Sequence, residues 1–175
     1  DVEVSLDQLQ AELPGVASVL IVVSWFGDDL RCGVCQLRPG VETLTKTTTP
    51  RQWRVGPTGR ADARLVSQID GAPAFGGTPD DDSVKELIAS CKARGLKVGL
   101  YPFILMDIPA NSGKPDPYGG AGQAAYPWRG RITASEAPGR AGSPDKTAAM
   151  TGEVSAFFGA ASPGHFPVVN GALGY

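Results

Sequence analysis

Three carboxylates carry the chemistry this chain has to offer. Asp28 and Asp29 follow the apolar run Ser18-Val-Leu-Ile-Val-Val-Ser-Trp-Phe-Gly27, and Asp107 follows Tyr101-Pro-Phe-Ile-Leu-Met106. Cleavage of a glycosidic bond needs two carboxyl groups on opposite sides of the bond, about 5 Å or about 6.5–9.5 Å apart, one to donate a proton and one to attack or activate water. Trp25, Phe26, Tyr118, Tyr126 and Trp128 add flat apolar faces of the kind that pack on sugar rings, while Asp or Arg side chains such as Arg129 bond the hydroxyls. A structural reading competes at each position. An Asp after a strand is also a turn or cap residue, and aromatic side chains also pin a long loop to its domain.

Other chemistries find less support. Cys32-Gly-Val-Cys35 has redox or zinc spacing, but the one histidine, His165, is far away and a zinc site usually takes four ligands. A catalytic dithiol wants the start of a helix, whereas Gly33 and Gln36-Leu-Arg-Pro-Gly40 read as extended chain and turn. A small loop with a fortuitous or local disulfide is the expectation. No nucleophile elbow accompanies the histidine, and the acids at Asp80 to Asp82 repel an anion from the helix start after Gly76-Gly77. No metal, cofactor or catalytic residue is assigned.

The segments that must position the three acids follow from periodicity. The first strand is expected over 17–26, apolar on both faces as a central parallel strand covered by helices would be. Leu96 to Met106 is expected to be the second. Between them, Thr78-Pro79-Asp80-Asp81 predicts a helix start with Thr78 as cap; Val84, Leu87, Ile88 and Cys91 recur on one face, and Gly95 ends it. Cys91 is thereby a core residue, and the acid run is capping charge rather than a metal cluster. A short amphipathic helix with a Ser5/Gln8 capping box precedes the first strand, ending at Pro14-Gly15. An insertion of irregular or short β structure fills the span from Gly27 to Gly77, in which the Thr-rich stretch 43–49 could form a hairpin and 63–69 reads as either strand or helix, strand being favoured. The stretch 107–142 is a long Gly/Pro-rich loop, and Ser143-Pro144-Asp145 starts a last helix ending at Gly159.

Bulk properties narrow the class. The chain has 175 residues, 42% apolar and 19% charged, enough for one core, so residues 1–175 are read as a single domain. A net charge of -2 lacks the electrostatic pull a nucleic-acid binder needs. The longest apolar stretch, around Val16 to Phe26, is short of the roughly 20 residues that span a bilayer, so no membrane insertion is expected. The opening Asp1 suggests a piece excised from a larger protein. The alternation of helices and strands predicts an α/β fold, a partial (β/α)8 TIM-barrel-like domain with long loop insertions.

Longer strings point to a family. Ser24-Trp-Phe-Gly-Asp-Asp-Leu-Arg-Cys-Gly-Val-Cys35, Ala74-Phe-Gly-Gly-Thr-Pro79, Tyr101-Pro-Phe-Ile-Leu-Met106, Pro127-Trp-Arg-Gly-Arg-Ile-Thr133 and Ala156-Phe-Phe-Gly159 together resemble the N-terminal part of the glycoside-hydrolase-like TIM-barrel domain of the tail-tip host specificity protein of gene transfer agents and related tailed phages. The resemblance runs from about Leu6 to Gly159. It implies a component at the tail tip of a virion-like particle, made in the bacterial cytoplasm, whose partners are other tail-tip proteins and cell-surface glycans. Barrel hydrolases of this type carry their acid pair after the fourth and seventh strands, which would lie beyond Tyr175. The implied roles are therefore glycan recognition through Trp25, Asp28, Asp29, Asp107, Tyr126, Trp128 and Arg129, or, alternatively, a fragment of an active glycoside hydrolase acting on envelope polysaccharide or peptidoglycan. A partial barrel would also leave an open sheet edge, from which self-association is expected.

Overall fold

The computed structural model describes residues 2–127 and 132–159, and the backbone of two short strands at Val168–Val169 and Ala172–Leu173. Its centre is a parallel pair. Strand β1 (Ser18–Gly27) runs in register with the second long strand, Lys97–Met106, from Ser18 opposite Lys97 to Gly27 opposite Met106. Helix α1 (Val2–Glu12) precedes β1, and helix α2 (Asp81–Ala93) feeds the second strand through Gly95, whose φ of +76° a side chain would resist. Both helices lie against one side of the pair: Leu6, Cys91 and Leu96 are buried there with Leu9, Leu87, Val19 and Val98 around them. Arg94 ties the two helices together through Glu3 and Asp7, each at 2.7 Å.

Between β1 and α2 the chain makes seven two-residue strands: β2 (Leu37–Arg38), β3 (Gly40–Val41), β4 (Arg54–Val55), β5 (Thr58–Gly59), β6 (Arg64–Leu65), β7 (Gln68–Ile69) and β8 (Ala72–Pro73). The second long strand is then β9. Strand β2 adds antiparallel to the end of β1, at Phe26 and Gly27, giving the order β2-β1-β9. The pairs β3-β6, β4-β5 and β7-β8 are separate two-stranded sheets, as is the last pair, β10 (Val168–Val169) with β11 (Ala172–Leu173). Helix α3 (Ala148–Phe158) packs Phe157 onto a cluster of Leu30, Cys35, Met106 and Ile108.

The expected partial TIM barrel is not there. Among the described residues only β1 and β9 form an extended parallel pair, and no sheet has more than three strands. A barrel needs each successive strand to lie parallel beside the last with a common stagger. Here the chain after β9 is interrupted by Pro109, Pro115, Pro117, Pro127 and Pro138, which donate no ladder hydrogen bond, and among the described residues beyond α3 the strands β10 and β11 pair with each other rather than with β9. The fold is a mixed small α/β arrangement: among the described residues, three α-helices and one long parallel pair, with a large irregular insertion.

Local expectations fared unevenly. Strand β1 is not covered on both faces, since Leu20, Val22 and Tyr101, which share one side, are 63%, 52% and 47% exposed. Further along that side, Phe26 and Leu105 are buried beneath Val66 and Phe75 of the insertion. The stretch 43–49 holds no hairpin, and 63–69 divides into β6 and β7. Helix α1 starts before Ser5, so Ser5 does not cap it, and Gln8 bonds Glu12 at 2.8 Å instead. Asp80 replaces Thr78 as cap of α2, accepting from the Ser83 N–H at 3.0 Å; Thr78 is buried and donates to the Ser24 carbonyl. Helix α3 begins after Thr147, four residues past Ser143.

Candidate functional site

Parallel registration brings the three acids to one rim. The N–H of Asp107 donates to the Gly27 carbonyl at 2.8 Å, so Asp107 stands beside Asp28 across the pair, as the two apolar runs imply. Each carboxylate is held by the chain itself. Asp107 is wholly buried and faces the guanidinium of Arg64, Nε to Oδ2 3.0 Å, while the Ser67 N–H donates to the same oxygen at 3.1 Å. Arg64 also donates from Nη2 to the Asp107 carbonyl. The acid therefore closes the end of β9 onto the insertion, whose β6 is paired to β3.

Asp29 is equally enclosed. Arg31 grips it with Nε on Oδ1 at 2.9 Å and Nη2 on Oδ2 at 2.8 Å, and the Arg31 N–H adds a third bond. Gln123, from the long loop, donates to Oδ1 at 2.7 Å and accepts from the Leu30 N–H at 3.0 Å. Burial alone would raise the carboxyl's pKa; the hydrogen bonds from Arg31 and Gln123 outweigh it and hold Asp29 at about 2. Asp28 accepts from the Gln36 N–H at 2.8 Å, and the Lys114 ammonium lies 3.4 Å from it and 3.7 Å from Asp29. Thr133 completes the edge through a parallel bridge to Arg31.

This arrangement does not suit acid-base cleavage. A proton donor must hold its proton near neutral pH, which Asp29 at about 2 does not. Asp107 has no exposed surface and both its oxygens are near donors. The rim is a set of clamps that fastens the insertion and the long loop to the strand ends. Sequence reasoning missed the partners Arg64, Gln123, Lys114 and Arg31; only Arg31, two residues from Asp29, lay close enough in the chain to be suspected.

Trp25 belongs elsewhere. It lies on the flank of β1, packed against Val41, Trp53, Val55 and Ala63, and lines an open groove of about 530 Å³. The β4-β5 hairpin supplies Val55 to Thr58, the β2 region Leu37 to Pro39, and Asp62 and Asp81 the acidic groups. Neither Asp28, Asp29, Asp107 nor Tyr126 lines it. Among the described residues, Arg38, Asp62 and Asp81 enter no salt bridge, in contrast to the rim acids. Asp81 accepts the Gly56 N–H at 2.8 Å, which fixes the hairpin's approach to α2. A groove with a half-buried indole, a guanidinium and two carboxylates offers a hydroxyl-rich ring an apolar face and polar groups of both signs.

Tyr126 is half-buried, sits at φ +47°, and donates its N–H to the Ile108 carbonyl at 2.9 Å, pinning the loop. Trp128 and Arg129 lie outside the described residues, as does His165. Cys32 and Cys35 are buried free thiols, so the expected local disulfide is not formed. Burial, and after it the nearby Glu153, pushes the Cys32 thiol up; burial likewise pushes up Cys35. Both are poor nucleophiles. Cys91 is core, as its helical spacing implies, and of the acid run Asp80 caps α2 while Asp82 pairs with Lys85.

No family model matches the sequence, and no curated protein does either.

Proposed function

We propose that this chain is a glycan-contacting component of a phage-like tail tip, binding cell-surface saccharide through the Trp25 groove rather than cutting it at the acid rim. The tail-tip assignment and its partners, other tail-tip proteins, rest on the resemblance of the strings around Trp25, Phe75, Phe103 and Phe157. The groove carries the recognition part: Trp25 flanked by Arg38, Asp62 and Asp81 in an open cleft of about 530 Å³, with charged groups that no salt bridge occupies among the described residues. Apolar indole surface gives stacking area, and charged groups outside any salt bridge can bond ring hydroxyls.

The fragment-of-a-hydrolase reading draws no support from the acids, since Asp107 is sealed by Arg64 and Ser67 and Asp29 by Arg31 and Gln123. The test is a screen of oligosaccharides against the wild-type chain and its Trp25→Ala variant. Binding that weakens at least tenfold in the variant supports the reading. Binding that ignores Trp25, or release of reducing ends by the wild-type chain, contradicts it.

A further inference from the structure

A second, smaller recess lies next to the groove. Thr48, Thr49, Pro50, Arg51, Trp53, Arg60, Asp80 and Ser83 enclose about 220 Å³, and Trp53, Arg60 and Asp80 stand one or two residues from the groove residues Val55, Asp62 and Asp81. That is less than the roughly 300 Å³ at which drug-sized sites begin, so it suits one ring or its substituent rather than an oligosaccharide.

Its electrostatic centre is Arg60. The guanidinium lies over the Trp53 ring at 5.5 Å, and the ring is itself fixed because its indole N–H donates to the Thr78 carbonyl at 2.8 Å. One nitrogen, Nη1, donates to the Thr43 carbonyl at 3.1 Å. The Nε–H is buried with no acceptor, and Nη2 makes no hydrogen bond among the described residues. An orphaned buried N–H is uncommon in a folded chain. A ligand oxygen in the recess cannot touch the enclosed Nε, so Nη2 is the guanidinium donor left for a carboxylate, through a single charge-assisted bond.

We propose that this recess takes the carboxylate of a uronic-acid residue, making the glycan bound along the Trp25 groove an acidic one. The inference rests on the glycan reading and narrows it to a substrate class. Stacking on Trp53 holds the guanidinium in place before the ligand arrives, so little freedom is lost on binding. Other charges oppose and assist. Asp80 is negative, but both its oxygens are engaged, by the Ser83 N–H and hydroxyl, and Glu42 is near enough to feel Arg60. A uronic acid suits this mixture better than a bare anion does, because its ring hydroxyls can donate to Asp80 while its carboxylate meets Arg60. Arg51 is already paired with Glu86 at 2.6 Å and is assigned no role.

The experiment compares trigalacturonic acid with its methyl ester, which has the same rings without the charge, by calorimetric titration into the full chain. The acid should bind about tenfold tighter, the weight of one charge-assisted hydrogen bond. Arg60→Gln should bring the acid down to the affinity of the ester, and Arg60→Lys should retain part of the preference; Trp25→Ala should weaken both ligands alike. Equal affinity of the wild-type chain for acid and ester overturns the inference without needing any variant, and leaves the groove reading standing. A preference that survives Arg60→Gln also overturns it. If neither ligand binds, the inference fails together with the glycan reading beneath it.

Discussion

The rim at the ends of β1 and β9 and the groove on the flank of β1 use the same residue types to opposite ends. At the rim, Asp29 and Asp107 are buried and each meets an arginine within about 3 Å plus an N–H or amide donor. In the groove, Arg38, Asp62 and Asp81 border open space and enter no salt bridge among the described residues. Charges that are satisfied internally hold parts of a chain together; charges left facing a cleft are available to something else. Position at a strand end, by itself, does not separate the two.

Substitutions can break this contrast, and Asp107→Ala should do so most severely. It leaves the Arg64 guanidinium and the Ser67 N–H without their acceptor, a loss of about 3–5 kcal/mol for a buried ion pair broken on one side. Chemical denaturation measures it. A change below 1 kcal/mol would mean that the rim is not a clamp. Gly40→Ala comes next. A Cβ there would lie 2.5 Å and 2.7 Å from carbons of the Phe26 ring, itself fully buried, so the insertion must back away from the sheet at about 1–3 kcal/mol.

Asp29→Asn should cost about 2 kcal/mol at neutral pH, and its sign is set by titration. The carboxyl is held at about 2 in the folded chain against about 3.9 unfolded. Because the folded value is the lower one, this stabilisation is complete above about pH 4 and is lost as pH falls through about 2. Midpoints of wild type and variant should therefore converge in acid; parallel curves down to pH 2 would contradict the assignment. The smallest effect belongs to Arg51→Gln. Its pair with Glu86 is exposed, so the unfolding midpoint should not move measurably.

Much of this was legible in the sequence. The apolar runs before Asp28 and Asp107 marked two strands, the i, i+3, i+4, i+7 recurrence from Val84 to Cys91 marked α2, and parallel pairing of the runs implied a shared rim. Local rules found these long elements, although they misplaced the caps at Ser5 and Thr78 and expected a hairpin at 43–49 that is not there. They failed for partners that are far apart: Arg64 reaches Asp107 across 43 residues and Gln123 reaches Asp29 across 94. Nothing in the spacing of either pair announces it. The barrel failed for a related reason, since alternating helix and strand tells which elements exist but not whether later strands align beside β9. Trp25 was recognised as a stacking residue but grouped with the acids; the alternation of a strand sends it to the flank, where Trp53 and Val55 meet it.

The most direct measurement is an amide chemical-shift map of the chain titrated with trigalacturonic acid. Shifts concentrated at Trp25, Val55 to Thr58 and Arg60, with Gly27, Asp28, Asp29 and Asp107 unmoved, are the result expected here. Shifts centred on Asp28, Asp29 and Asp107, with Trp25 and Arg60 silent, would contradict it.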